Sequence, residues 1–113
     1  MNSVVVRKDT TGRYCGFTSV GHAGYKTQGH DIVCAGISVL VLTAVMALEQ
    51  FTALQPAVKQ SAGKDKQAFV ECDWINDPAQ AETSDLIIKI MLLGLSQIRQ
   101  QFPQHLTIQE LEV

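Results

Sequence analysis

The chain has 113 residues, of which 46% are hydrophobic and 18% charged, with a formal net charge of −2. That composition is too apolar for a disordered chain, and the acidic balance, with no Lys/Arg run, argues against direct nucleic-acid binding. The length predicts one domain, residues 1–113, with a single modest core.

Residues 3–8 (SVVVRK) are short and β-branched and predict a strand. Nothing before them reads as a basic segment followed by a long apolar run, so a secretory leader is not expected. Asp9-Thr10-Thr11-Gly12 is turn chemistry. Residues 13–20 (RYCGFTSV) place Cys15, Phe17 and Ser19 on one face and Tyr14, Thr18 and Val20 on the other, completing an antiparallel hairpin. Residues 21–31 hold three glycines among polar residues without periodicity, which predicts a loop able to carry function.

Asp31 precedes a long helical pattern and is expected to be its N-cap. Ile37, Leu40, Val41, Ala44, Leu48 and Phe51 recur at three- and four-residue spacing and predict one helix face. The stretch from Ile32 to Leu48 carries no charge and is long enough to raise a membrane span. Its small and polar interruptions, its acidic flanks and the lack of basic clusters favour a buried core helix, and no membrane partner is expected. The helix should stop before Pro56.

Residues 56–60 and 67–74 predict two further strands, with Ser61–Asp65 as the loop between them. Asn76-Asp77-Pro78 predicts a helix start, Asp77 as cap and Pro78 at the first helical position. Leu86, Ile90 and Leu93, with Ile87, Met91, Gly94 and Ile98, are expected to form one apolar stripe, ended by Phe102-Pro103. Residues 105–111 predict a last strand. The order β-β-α-β-β-α-β implies an α+β fold, a two-layer sandwich with a mixed sheet covered by two helices.

Three cysteines at wide spacing, Cys15, Cys34 and Cys72, form no disulfide framework. No CxxC or Cys/His ligand spacing suggests a metal site, and no cofactor is expected. Persisting thiols point to the cytoplasm.

The segment Gly21–Ser38 reads GHAGYKTQGHDIVCAGIS. With Asp31 as cap, Cys34 falls at the third helical position. Unpaired N–H groups and the helix dipole there favour a thiolate over a thiol, and the same N–H groups suit a developing oxyanion. His22, at the end of a strand, can meet Cys34 when the loop folds back, which is the recurring nucleophile–base pair. Ser38 lies one turn beyond Cys34 on the same helix face and can donate a hydrogen bond to sulfur or substrate. Each residue also has a plain structural reading. Cys34 fits a buried small hydrophobe, Asp31 a simple cap and Ser38 a hydroxyl bonded to its own helix. Spacing alone does not choose His22 over His30.

Gly21-His22-Ala23, Gly29-x-Asp31, Cys34-Ala35 and Ser38 together resemble the signature of the ribosomal-processing cysteine protease Prp family. The order of strands and helices is similar over nearly the whole chain. The resemblance implies that His22 and Cys34 are the catalytic dyad, with His22 rather than His30 as base, and that Gly21, Gly29, Asp31 and Ser38 support the site. It implies a loop 23–30 that moves over bound peptide, a homodimer, and a substrate: the short N-terminal extension of a large-subunit ribosomal protein, the twenty-seventh. Two other readings stay open. One is a ribosome-associated binding module with a structural Cys34. The other is a thiol redox protein pairing Cys34 with Cys15 or Cys72.

Overall fold

The computed structural model describes residues 2–22, 30–61 and 67–113, apart from the side chains of residues 22, 30, 31 and 67. The expected loop from Ala23, with Gly29 in it, and most of the 61–65 hairpin loop lie outside the described residues. The elements run β1 (Asn2–Lys8), β2 (Tyr14–His22), α1 (His30–Phe51), β3 (Ala57–Ser61), β4 (Gln67–Asp73), α2 (Ala81–Gln101) and β5 (Leu106–Glu112). This is the order read from the sequence.

The five strands form one sheet in the order β3-β4-β2-β1-β5. Every pairing is antiparallel except β1 with β5, so the sheet is mixed. The two helices are crossovers that leave antiparallel strands and travel in opposite directions across the sheet. Right-handed crossovers of that kind put both helices on the same face. They meet Val4, Val6, Phe17, Cys72, Trp74 and Leu106, which project from the sheet at alternate positions. From α1, Val33, Ile37, Val41, Val45 and Leu48 complete this core, and from α2, Ile88, Met91 and Leu95. The membrane-length stretch of α1 is therefore a core helix along one side, with Ile32, Val39 and Met46 exposed on the other.

Several local expectations are corrected. A bulge between Arg7 and Lys8 makes Arg7 pair with Gly16 and Lys8 with Tyr14. Cys15 is the extra residue, so the alternation inverts there: Tyr14 joins Phe17 on the inner face and Cys15 leaves it. Phe51, expected on the inner face of α1, is 70% exposed, because it is the last helical residue and overruns the sheet.

Helix α2 starts at Ala81, not at Pro78. Asp77 caps a preceding turn instead: its Oδ1 accepts from Ala79 N at 3.0 Å and its carbonyl from Gln80 N at 2.8 Å. The buried face of α2 is Ala81, Ser84, Ile88, Met91 and Leu95, whereas Leu86, Ile90 and Leu93 point outward. Ser84 holds an inner position because its hydroxyl is satisfied within the helix, donating to the Ala81 carbonyl at 3.1 Å. A polar residue on the inward stripe hid that face from hydrophobic periodicity. Gly94 brings the helices together: a Cβ there would lie 2.6 Å from Leu40 Cδ2.

Burial acts on two ionisable groups of the core. It pushes the Cys72 thiol up to about 12 and, with the Glu110 carboxylate that accepts from Tyr14 at 2.9 Å, raises the Tyr14 phenol to about 12. Both neutral forms are favoured in the fold. Their stabilisation is complete below the ordinary values of 9.0 and 10.0 and is lost as pH rises through about 12. Thermal midpoints should fall steadily between pH 9 and 12. Tyr14→Phe should flatten the part above pH 10, and an unchanged slope in that variant would rule out the tyrosine's share.

Candidate active site

Helix α1 begins at His30, so Asp31 is its second residue rather than its N-cap. Cys34 accordingly sits in the second turn and not at the third position. Its own N–H is engaged with the carbonyl four residues back, in regular helical fashion. The unpaired N–H groups of the helix start, expected to serve a developing oxyanion, therefore lie in the turn that precedes Cys34. The Asp31 side chain lies outside the described residues.

The Cys34 side chain is half-buried against the start of β1. Its Sγ donates to Asn2 Oδ1 at 3.4 Å. Asn2 is 2% exposed, and both its backbone N and its Nδ2 donate to the His105 carbonyl, at 3.0 and 3.1 Å. Beside it, β2 ends in Gly21 and His22. A Cβ on Gly21 would lie 2.6 Å from Asn2 Oδ1, so only glycine lets β2 approach the carboxamide this closely. The backbone of His22 is one residue further on, paired with Gln67 of β4. The described backbone thus brings the end of β2 and the start of α1 to the same end of the sandwich. The His22 side chain lies outside the described residues.

Cys34 opens onto a cavity of about 240 Å³. Asn2, Ser19 and Gly21 form its floor, Ile37, Ser38 and Val41 its helical wall, and Gln60, Ser61, Phe69 and Val70 its far wall. Ser38, the residue one turn beyond Cys34, is exposed and lines this same space. The structure therefore brings Gly21, Cys34 and Ser38 together. It also brings in Asn2, which sequence reasoning missed. The signal was present: Asn2 shares parity with Val4 and Val6, so a strand over these residues aims a carboxamide inward. Among the described residues no cluster of His, Cys, Asp and Glu could hold a metal ion.

No disulfide joins the cysteines. Cys15 is six residues before Gly21 along β2, about 20 Å away at strand rise. Cys72 pairs opposite Phe17, four residues before Gly21, or about 13 Å away. Both separations exceed the span of a disulfide, so neither cysteine lies beside the strand end that Cys34 faces, which speaks against the redox reading. Burial raises the Cys15 thiol, with Asp9 adding to it, and raises Cys72 to about 12. Iodoacetamide near pH 7.5 should therefore label Cys34 alone in the folded protein. Peptide mapping that finds Cys15 or Cys72 modified at a comparable rate would contradict this environment.

The chain matches the family model described as cysteine protease Prp over residues 1–107. It is 31% identical over 88 residues to a ribosomal processing cysteine protease Prp of Staphylococcus aureus, covering 78% of each chain. It is 27% identical over 109 residues to the protein of that description in Bacillus subtilis, covering 96% of each. Two solved structures of an S. aureus ribosomal processing protease Prp, with a substrate peptide and with a covalently linked product peptide, share this fold at TM-scores of 0.80 and 0.78. Each is 23% identical, with 97% of this chain and 99% of the other covered.

Proposed function

The chain belongs to the cysteine protease Prp family and is a cysteine protease, and on that premise we propose that Cys34 and His22 remove the N-terminal extension of the twenty-seventh large-subunit ribosomal protein. The observation that carries the reading is the placement of Cys34 in the lining of a cavity shared with Ile37, Val41, Phe69 and Val70, beside the end of the strand that bears His22. An apolar, part-open cleft with a sulfur in its lining suits a peptide side chain seated next to a scissile carbonyl.

The reaction is acyl transfer. His22 takes the thiol proton, and the Cys34 thiolate attacks the scissile carbonyl. The tetrahedral intermediate collapses to a thioester as His22 returns the proton to the leaving amine. Water, activated by the same imidazole, then hydrolyses the thioester and restores the thiol. Ser38 donates a hydrogen bond to the substrate in the cavity. Gly21 keeps β2 close to Asn2, while Gly29 and Asp31 support the loop and the first turn. A dyad suffices because a thiol ionises more readily than a hydroxyl. The test is mass spectrometry of the ribosomal-protein precursor incubated with the enzyme. A single cut that releases the N-terminal extension is expected. An intact precursor, under conditions where Cys34 alkylates normally, would remove this substrate.

The 113 residues act as a single peptidase domain in the cytoplasm, where all three thiols persist, with no direct contact to nucleic acid or membrane. The enzyme works as a homodimer. Supporting this, Val39, Phe51, Leu86 and Ile90 expose a continuous apolar surface on the outer side of the two helices. Patches of this kind on soluble proteins mark interfaces. Ile90→Glu should shift the sedimentation coefficient to that of a monomer, and an unshifted dimer would place the interface elsewhere.

A further inference from the structure

Asparagine is a poor strand former, yet Asn2 occupies an inward position of β1 at 2% exposure. A buried carboxamide is costly unless its polar atoms are bonded. Here Nδ2 donates to the His105 carbonyl, the same oxygen that accepts the Asn2 backbone N–H. That contact decides which way the amide faces, because a carbonyl oxygen tolerates only the nitrogen side. Oδ1 must then face Cys34 Sγ, 3.4 Å away. Gly21 closes the clamp from β2, with no Cβ to part it from Oδ1.

An oxygen held against sulfur accepts from S–H and repels S⁻. We propose that Asn2 is a positioning residue for Cys34: its clamped carboxamide accepts from the thiol and holds the sulfur against β1 until the base withdraws the proton. The inference rests on Cys34 being the nucleophile and adds the group that faces it at rest. When the proton passes from Sγ to the imidazole, Oδ1 loses its donor and repels the new anion toward the open side of the cavity, where the substrate carbonyl lies.

The test compares alkylation by iodoacetamide at pH 7 in wild type, Asn2→Leu and Asn2→Asp, with the modified site located by mass spectrometry. Leucine has nearly the same shape and no acceptor, so Cys34 should react about threefold to tenfold faster. Aspartate places a full anion against the sulfur, so Cys34 should react at least about threefold more slowly. Both substitutions lose the side-chain bond to the His105 carbonyl and keep the backbone one, so a purely structural role would move both rates the same way. Rates that shift together, or a leucine variant that matches wild type, would overturn the proposal. If Asn2→Leu does not fold, Asn2→Ser, too short to reach the sulfur, replaces it with the same expected acceleration. Cleavage by Cys34→Ala is measured alongside. Retained cleavage there defeats the nucleophile assignment itself, whereas an inactive Cys34→Ala with unchanged Asn2 variants defeats only the role of Asn2.

Discussion

Cys34→Ala should leave no measurable cleavage of the ribosomal-protein extension while the protein stays folded. Acyl transfer needs a nucleophile that can form and later release a covalent bond, and alanine offers none. Losing the nucleophile of a dyad costs on the order of 10⁴-fold or more in kcat, since only peptide binding and the remaining polar groups are left. The cost in stability should be small, within about 1 kcal/mol. Cys34 is half-buried and lies beside the core cluster rather than in it, and its sulfur bond to Asn2 is weak. Cys34→Ser separates the two effects. Its hydroxyl keeps a donor for Asn2 Oδ1 but ionises far less readily, so this variant should be at least as stable as Cys34→Ala and equally inactive. Thermal unfolding followed by circular dichroism and mass spectrometry of the substrate give both readouts. Cleavage at the wild-type rate by either variant would remove Cys34 from the mechanism.

His22→Ala should lower kcat/KM by about 10²- to 10⁴-fold, the usual worth of a positioned general acid–base. The loss falls mainly on kcat, because a general acid–base acts on the proton in the transition state rather than on peptide binding. The variant should also lose the inflection that an imidazole imposes on the pH–rate profile, and added imidazole should restore part of the activity. The same change should alter the pH dependence of Cys34 alkylation, because the proton acceptor for the thiol has gone. A profile identical to wild type would show that another group acts as base. His30 is the natural comparison: it opens α1, and His30→Ala should leave the inflection in place.

Much of the fold was legible because its patterns are local. β1 and the run 67–73 announced themselves by β-branched and alternating residues, and α1 by three- and four-residue spacing up to the break before Pro56. The failures share one cause. Sequence periodicity assumes that an element keeps its alternation and that its inner face is the apolar one. The bulge at Arg7/Lys8 breaks the first assumption and exchanges Tyr14 for Cys15. Ser84 breaks the second, since its internal hydrogen bond lets a hydroxyl face the core. The outer stripe of Leu86, Ile90 and Leu93 then looks like the buried one.

By itself the sequence determined the element order and the two-layer architecture, and it singled out the segment from Gly21 to Ser38 as the candidate site, because residue type, spacing and turn signals are written along the chain. The tertiary structure alone decided what faces the sulfur. Asn2 and Cys34 are 32 positions apart, and Asn2 and His105 are 103 apart. They meet because β1 takes β5 as a parallel neighbour on one side and begins beside Gly21 on the other. Contacts of such separation depend on which strands become neighbours, and that pairing is a property of the assembled sheet rather than of any stretch of chain.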